Sequence, residues 1–243
     1  MGWLSMATHP ISVLAGSEHD ALNLDRGWAI REDAFRFLVN DLTRLGARTV
    51  VEFGSGVSSI RLALALPNVH IVCIESDRQF RDRILALRSQ FLGHGHSLAI
   101  ELRELAWQRY ASGIYLSYRF DSLPGEIDAA IIDGPPAWTR RGREACLYSV
   151  MKPLRVAGRV YLDDYRRRAE RRIVKNWHLA YPGSFAMSVQ NVGHTVCVLE
   201  KLKEGAGPQF AFPTFVDNVA QNTVLAFRWV FRGFRWKRRT SLT

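Results

Sequence analysis

Cysteine is scarce in this chain: Cys73, Cys146 and Cys197 stand far apart among 243 residues, and no C-x-x-C pair occurs. That usage argues against a disulfide framework and the common zinc spacings. An odd number of cysteines inside expected strands and helices reads as reduced, buried thiols. Long apolar runs are missing too. No stretch supplies the roughly 20 apolar residues that a membrane-spanning helix needs. Residues 1–6 lack the basic start and apolar run of a secretory signal, and Met6 occupies the position where a myristoylated chain carries Ser or Thr. These absences predict a cytoplasmic protein. No internal repeat or low-complexity segment is found. Acidic residues are outnumbered, 23 against 33 basic ones, for a net charge of +10, and none follows Asp217.

What is present fits one core. A chain of this length with 47% hydrophobic residues can bury a single sizeable interior. The pattern divides it into an N-terminal extension over 1–24, a main domain over 25–203 and a basic tail over 204–243. In the main domain, helical rhythm over 32–45 ends at Gly46 and a buried strand is expected over 49–53. A helix from Ile60 to Leu66 stops at Pro67, and a strand over 69–74 leads to a helix over 77–92. Further strands are expected over 97–105, 127–132 and 158–162, with helices over 143–151 and 169–179. A final hairpin, 184–190 with 194–201, turns about Asn191, Val192 and Gly193. The connection through Trp107, Tyr110, Tyr115 and Tyr118 reads as polar and aromatic. Strand-helix alternation closed by an antiparallel hairpin predicts an α/β, doubly wound sheet.

The densest signal is the run from Val50 to Ser59, an apolar strand ending in Glu52 and Phe53 and then Gly54, Ser55 and Gly56. Glycines at 54 and 56 permit the sharp turn and close backbone approach that a nucleotide pocket requires, and Ser58 or Ser59 is placed to cap the next helix. The following strand delivers Glu75, where a carboxylate can accept two ribose hydroxyls. Nicotinamide enzymes use a similar G-x-G-x-x-G turn. Here the third small position is Ser59, and Glu52 places a charge two residues before the first glycine, where such enzymes keep an apolar side chain. A cofactor with a cationic methionine end gives Glu52 a purpose.

With the run Ile127-Asp128-Ala129-Ala130-Ile131-Ile132-Asp133-Gly134-Pro135-Pro136 and the later Val160-Tyr161-Leu162-Asp163-Asp164, these motifs resemble the class I S-adenosylmethionine-dependent methyltransferases. The likeness is to a bacterial group with an E-x-G-S-G-x-S-[ST] turn and a D-G-P-P loop. It covers about residues 25–203. It implies a seven-stranded Rossmann-like sheet with the cofactor across the C-terminal ends of its first two strands. Cofactor contacts would come from Glu52, Gly54, Ser55, Gly56, Ser58, Ser59, Glu75, Ser76 and Asp133. Glu104 and Trp107 would border the adenine, and Trp28 and Arg31 the methionine end.

Asp133, Asp163 and Asp164 join Glu52 and Glu75 at the strand ends, and three readings of them stay open. In catechol-type O-methyltransferases an Asp after the fourth strand and an Asp-Asn pair after the fifth hold magnesium, and Asp133 with Asp163 and Asp164 occupy matching places. Hard oxygen ligands suit Mg²⁺, although Asp164 replaces Asn and Pro136 stands near that family's catalytic lysine. Without a metal, Asp133 or Asp163 would be the general base, with Arg140 or Arg141 orienting an anionic acceptor. In the third reading Asp163 and Asp164 only cap a helix from Tyr165 onward. The D-P-P-Y loop of nucleic-acid amino-methyltransferases matches poorly, since Gly134 separates the acid from the prolines and the nearest aromatic is Trp138. His94 and His96 read as surface residues and His194 as structural.

Charge gathers in Arg140, Arg141 and Arg143, in Arg166 to Arg168 with Arg171, Arg172 and Lys175, and in the tail. Around a site mouth it would attract a phosphate or carboxylate; on helix faces it would simply be solvated. In the tail, 218–239 places Val224, Phe227, Val230, Phe231 and Phe234 on one helical face and Arg228, Arg232, Arg235 and Arg239 on another, with Trp229 and Trp236 between. Such a helix suits an anionic membrane surface, packing on the domain or a homodimer partner, or nucleic acid, and Gly233 weakens it. The whole predicts O-methylation of a small or glycan- or lipid-linked anionic acceptor by a cytoplasmic enzyme peripheral to the membrane's inner face. The rivals are a nucleic-acid methyltransferase and a non-catalytic binding module with a relic pocket.

Overall fold

The computed structural model describes residue 22 and residues 30–120, 122–205 and 207–240, without the side chains of His194 and of 230–240. The expected N-terminal extension, apart from Leu22, and Trp28 lie outside the described residues. The elements are α1 (Glu32–Leu45), β1 (Thr49–Phe53), α2 (Val57–Ala65), β2 (His70–Glu75), α3 (Arg78–Phe91), β3 (Ser97–Leu102), β4 (Leu105–Tyr110), β5 (Gly113–Tyr118), β6 (Ile127–Ile132), α4 (Gly142–Val150), β7 (Leu154–Leu162), α5 (Arg168–Ala180), β8 (Phe185–Val192), β9 (His194–Lys201) and α6 (Phe212–Thr240).

Seven strands form one sheet in the order β3-β2-β1-β6-β7-β9-β8. The strands from β3 to β7 run parallel, and β9 pairs antiparallel with both β7 and β8. Alternation along β1 divides the core. Val51 and Phe53 face one layer with Cys146, Leu147, Ile173 and Trp177, from α4 and α5. Val50 faces the other, with Phe35, Leu38, Ile60, Leu62 and Ile84 from α1, α2 and α3. Helices on both faces explain why β1 and β6 are apolar almost throughout. Register then aligns the strand ends: Phe53 pairs with Ile74 and with Ile132, and Ile132 with Leu162. Gly54, Glu75, Asp133 and Asp163 therefore emerge along one edge, the side on which such sheets bind ligands.

Several expected boundaries are corrected. The 105–118 connection is a second, two-stranded antiparallel sheet, β4 with β5, and β3 ends at Leu102. β7 begins at Leu154, and its pairing with β6 is irregular between Ile127 and Ala129. α2 starts at Val57 with Gly56 as its cap, so Ser58 and Ser59 lie inside the helix. α5 starts at Arg168, after the turn that holds Asp163 and Asp164, and its N-cap position is Arg167. The capping reading of the two aspartates is thereby overturned.

α6 begins at Phe212, ahead of the expected Asn218, because Pro213 falls in the first turn, where a missing N–H is harmless. Its first half docks on β5 and α5. The Asn218 side chain accepts from the Ile114 N–H at 3.1 Å and donates to the Ile114 carbonyl at 2.9 Å. The neighbouring Gly113 makes room: a Cβ there would stand 2.3 Å from Asn218 Cγ. Asp217 pairs with the buried Arg141 at 2.6 Å and lies 3.5 Å from Arg172.

Candidate active site

Three backbone contacts shape the turn after β1. Gly54 N–H donates to the Ile74 carbonyl at 2.9 Å, while Asp133 and Gly134 N–H both donate to the Phe53 carbonyl, at 3.1 and 2.5 Å. The loops after β1 and β6 are thus pressed together. Gly54 has φ of 96°, and a Cβ there would lie 3.1 Å from Gly134 N; one on Gly134 would lie 2.1 Å from the Tyr118 hydroxyl oxygen. Neither position admits a side chain without moving the other loop.

Glu52 sits behind this turn. Its carboxylate accepts from Ser58 Oγ at 3.1 Å, Ser59 Oγ at 2.5 Å and Cys73 Sγ at 3.1 Å, and Gly56 N–H donates to Ser59 Oγ at 3.0 Å. Burial pushes the Glu52 carboxyl up to about 7, against the pull of its three donors. It organises the start of α2 from below.

Glu75 sits in front. One carboxylate oxygen accepts from Ser55 N–H and Ser55 Oγ, both at 3.1 Å; the other accepts from the N–H groups of Ser76 at 2.6 Å and Asp77 at 2.9 Å. It borders a cleft of about 1160 Å³ whose walls are the 54–58 turn, α3 through Asp77, Phe80, Arg83 and Leu87, the 133–138 loop, Tyr118, Arg143, and Asp163, Asp164 and Arg167. That space lies at the upper end of what small-molecule clefts commonly offer.

Across the cleft from Glu75 lie the aspartates. Asp133, Asp163 and Asp164 each offer a carboxylate oxygen, all within 4.8 Å of one another. Asp164 adopts a left-handed φ of 59°. Arg143 reaches Asp133 at 3.3 Å, the Pro135 carbonyl at 3.3 Å and Glu170 at 3.6 Å, and Arg167 pairs with Asp164 at 2.8 Å. Burial raises the Asp133 carboxyl to about 6; Arg143 opposes the shift, and Asp163 and Asp164 add to it. Arg143 and Arg167 offset two of these three carboxylates, and Arg83 adds a further cation to the same cleft.

The structure therefore brings Gly54, Ser55, Gly56, Ser58, Glu75, Asp133, Asp163 and Asp164 to one cavity. It does not bring Glu52 and Ser59, which are buried behind the turn, or Ser76, whose backbone steadies Glu75. Trp107 stands exposed on β4, opposite Leu116, because its segment is a hairpin. Arg140 is not in the cleft wall; it lies toward α6, where burial and then repulsion from Arg228 and Arg141 depress its pKa. Arg141 serves α6 through Asp217. The helix expected over 77–92 carries Phe80, Arg83 and Leu87 in the cleft wall, a placement the sequence did not indicate; their helical spacing was the available signal, and of α3 only Ile84 is buried.

No protein-family model and no curated protein matches the chain. Solved structures do. An O-methyltransferase from Bacillus cereus, solved with SAH, superposes with a TM-score of 0.58 at 14% identity, over 79% of this chain and 94% of that one. The fold is that of a class I methyltransferase. The O-methyltransferase TomG from Streptomyces achromogenes, involved in tomaymycin synthesis and solved with SAM, gives 0.54 at 18% identity, over 76% and 86%. A putative rRNA-methylase from Clostridium thermocellum gives 0.53 at 12%, over 72% and 99%. At these identities the likeness carries the fold alone.

Proposed function

We propose that the protein is an S-adenosylmethionine-dependent O-methyltransferase acting on a small or glycan- or lipid-linked acceptor that carries negative charge. The observation that carries this reading is the placement of Glu75 and the 54–58 turn opposite Asp133, Asp163 and Asp164 across a single cleft. The residues fit the cofactor. Glu75 takes the ribose hydroxyls, which replace Ser55 Oγ among its partners, and glycines at 54 and 56 let the nucleoside approach the backbone. The start of α2, at Gly56, Val57 and Ser58, faces the cleft and suits the methionine carboxylate. Asp133 borders the cationic end, the role the sequence suggested for Glu52.

When bound, S-adenosylmethionine supplies an electrophilic methyl group, and the sulfur keeps the electron pair of the broken bond. The protein must hold the acceptor oxygen in line and take up its proton. Asp133 or Asp163 receives that proton, Arg143 holds Asp133 in place, and Arg167 attracts an anionic acceptor. A second reading is favoured by the mutual approach of the three aspartates: a divalent cation bound there would lower the hydroxyl's pKa. Activity that survives EDTA would remove it. Arg140 stands outside the cleft and takes no part.

Calorimetry tests the central reading. Binding of S-adenosylmethionine and of its demethylated product is expected, weakened about tenfold to a hundredfold in Glu75→Ala, the scale of hydrogen bonds to a charged group. A preference for a nicotinamide dinucleotide, or no affinity for either ligand, would refute it. The rRNA-methylase likeness is tested on the same material: RNA bound with a steep salt dependence would move the acceptor to nucleic acid.

A further inference from the structure

The way α6 is docked reverses the usual order of a surface helix. The side turned to the domain is mainly polar: Thr214 and Asn218 are buried with Leu225, and Asp217, Gln221 and Asn222 are half-buried. The outward side is apolar. Phe212, Phe215, Val216 and Val219 follow the i, i+3, i+4, i+7 spacing of one face and are 67%, 41%, 49% and 47% exposed. Phe210, 60% exposed, meets Phe215 with ring centroids 6.0 Å apart and extends the patch. Contiguous apolar surface of this kind marks an interaction site.

Charge selects the occupant. The same helix continues into a segment with Arg228, Arg232, Arg235, Lys237, Arg238 and Arg239 and no acid after Asp217. A second copy would bring an identical cationic helix against this one in a chain already at +10. Nucleic acid would use the cations and leave the Phe and Val face unaccounted for. An anionic bilayer uses both, since the apolar face enters the headgroup boundary and the cations meet lipid phosphates.

We infer that α6 is an in-plane docking helix for an anionic membrane surface, with the Phe212, Phe215, Val216 and Val219 face as its lipid contact. The docking is independent of the chemistry in the cleft. It would bring the protein to a membrane without crossing it, as no helix among the described residues is long and apolar enough to cross one.

Co-sedimentation of the full chain with vesicles is the test. Vesicles of phosphatidylcholine with phosphatidylglycerol should be bound about tenfold or more tightly than phosphatidylcholine alone, with the difference shrinking in high salt. Phe215→Ser with Val219→Ser should weaken binding by about tenfold or more while melting like the parent, since both side chains are exposed. Arg228→Gln, also on the surface, should weaken binding to anionic vesicles alone. Equal binding to both vesicle types would overturn the proposal, as would unchanged binding by the double variant. So would a chain that ignores vesicles and dimerises or binds RNA through the same residues.

Discussion

Asp133 and Arg143 show how one residue sets the working range of another. The Asp133 carboxyl is raised to about 6 chiefly by burial, while Arg143 holds it down and Asp163 and Asp164 push it up. A base must be ionised, so kcat/KM for methyl transfer should rise through about pH 6 and level off above it. Removing the arginine charge in Arg143→Met leaves the repulsion opposed only by the weaker pull of Arg167, and the rising limb should move upward by about one pH unit. A profile that stays in place would show that Asp133 is not the group titrating in catalysis. Asp133→Asn should lower kcat by about a hundredfold or more, with cofactor affinity from calorimetry changing far less. A loss confined to KM would make Asp133 a binding group only.

At the scale of elements, α6 depends on the absence of a side chain in β5. A Cβ at Gly113 would stand 2.3 Å from Asn218 Cγ, and Asn218 satisfies both backbone groups of Ile114. Gly113→Ala should therefore lift α6, costing roughly 1 to 3 kcal/mol in urea denaturation and exposing 212–225 to hydrogen exchange. Asp217→Ala should cost roughly 3 to 5 kcal/mol, because Arg141 stays buried without its carboxylate partner. If both variants kept parental exchange protection in α6, the docked helix would be wrong. The parallel strands, the glycine turn and Glu75 were legible because their signals are local: apolar runs, punctuating glycines and an acid at a strand end. The β4-β5 hairpin was not, since Arg109, Gln108 and the tyrosines blur its alternation and its stability comes from packing on α4. Nor could α3 be seen as a cleft wall or Glu52 as a residue behind the turn. Those placements depend on which face the fold leaves uncovered and on which partners, here Ser58, Ser59 and Cys73, close around a side chain.

For the molecule as a whole, the buried acids impose a pH dependence on stability. Burial raises Glu52 and Glu144 from an ordinary 4.5 to about 7, and it also raises Asp133 and Glu170. Such a group keeps in the folded state a proton that the unfolded chain has released. Its stabilisation is complete below the unfolded pKa and is lost as pH rises through the folded one. Glu52 and Glu144 place that loss between about 4.5 and about 7, on the order of a few kcal/mol each. Two carboxyls work the other way. Glu32 is held low by Arg61; Asp128, pushed up by burial, is brought below its ordinary value by the Arg48 and Thr49 N–H groups and by Arg155. Their stabilisation is present above the unfolded carboxylate range and is lost as pH falls through their depressed values. His178, lowered by burial, also costs stability as pH falls below its ordinary 6.5, but it is one group against four. Urea midpoints should therefore peak near pH 5 and fall by pH 8, and Glu52→Gln and Glu144→Gln should each narrow that fall by removing one ionisation. In Glu144→Gln the amide must still receive Tyr115, Tyr148 and Asn176, so its stability at pH 5 should drop even as the pH dependence flattens. A parent protein equally stable at pH 5 and pH 8 would mean that these carboxyls ionise inside the fold at no cost, against the desolvation that their burial imposes.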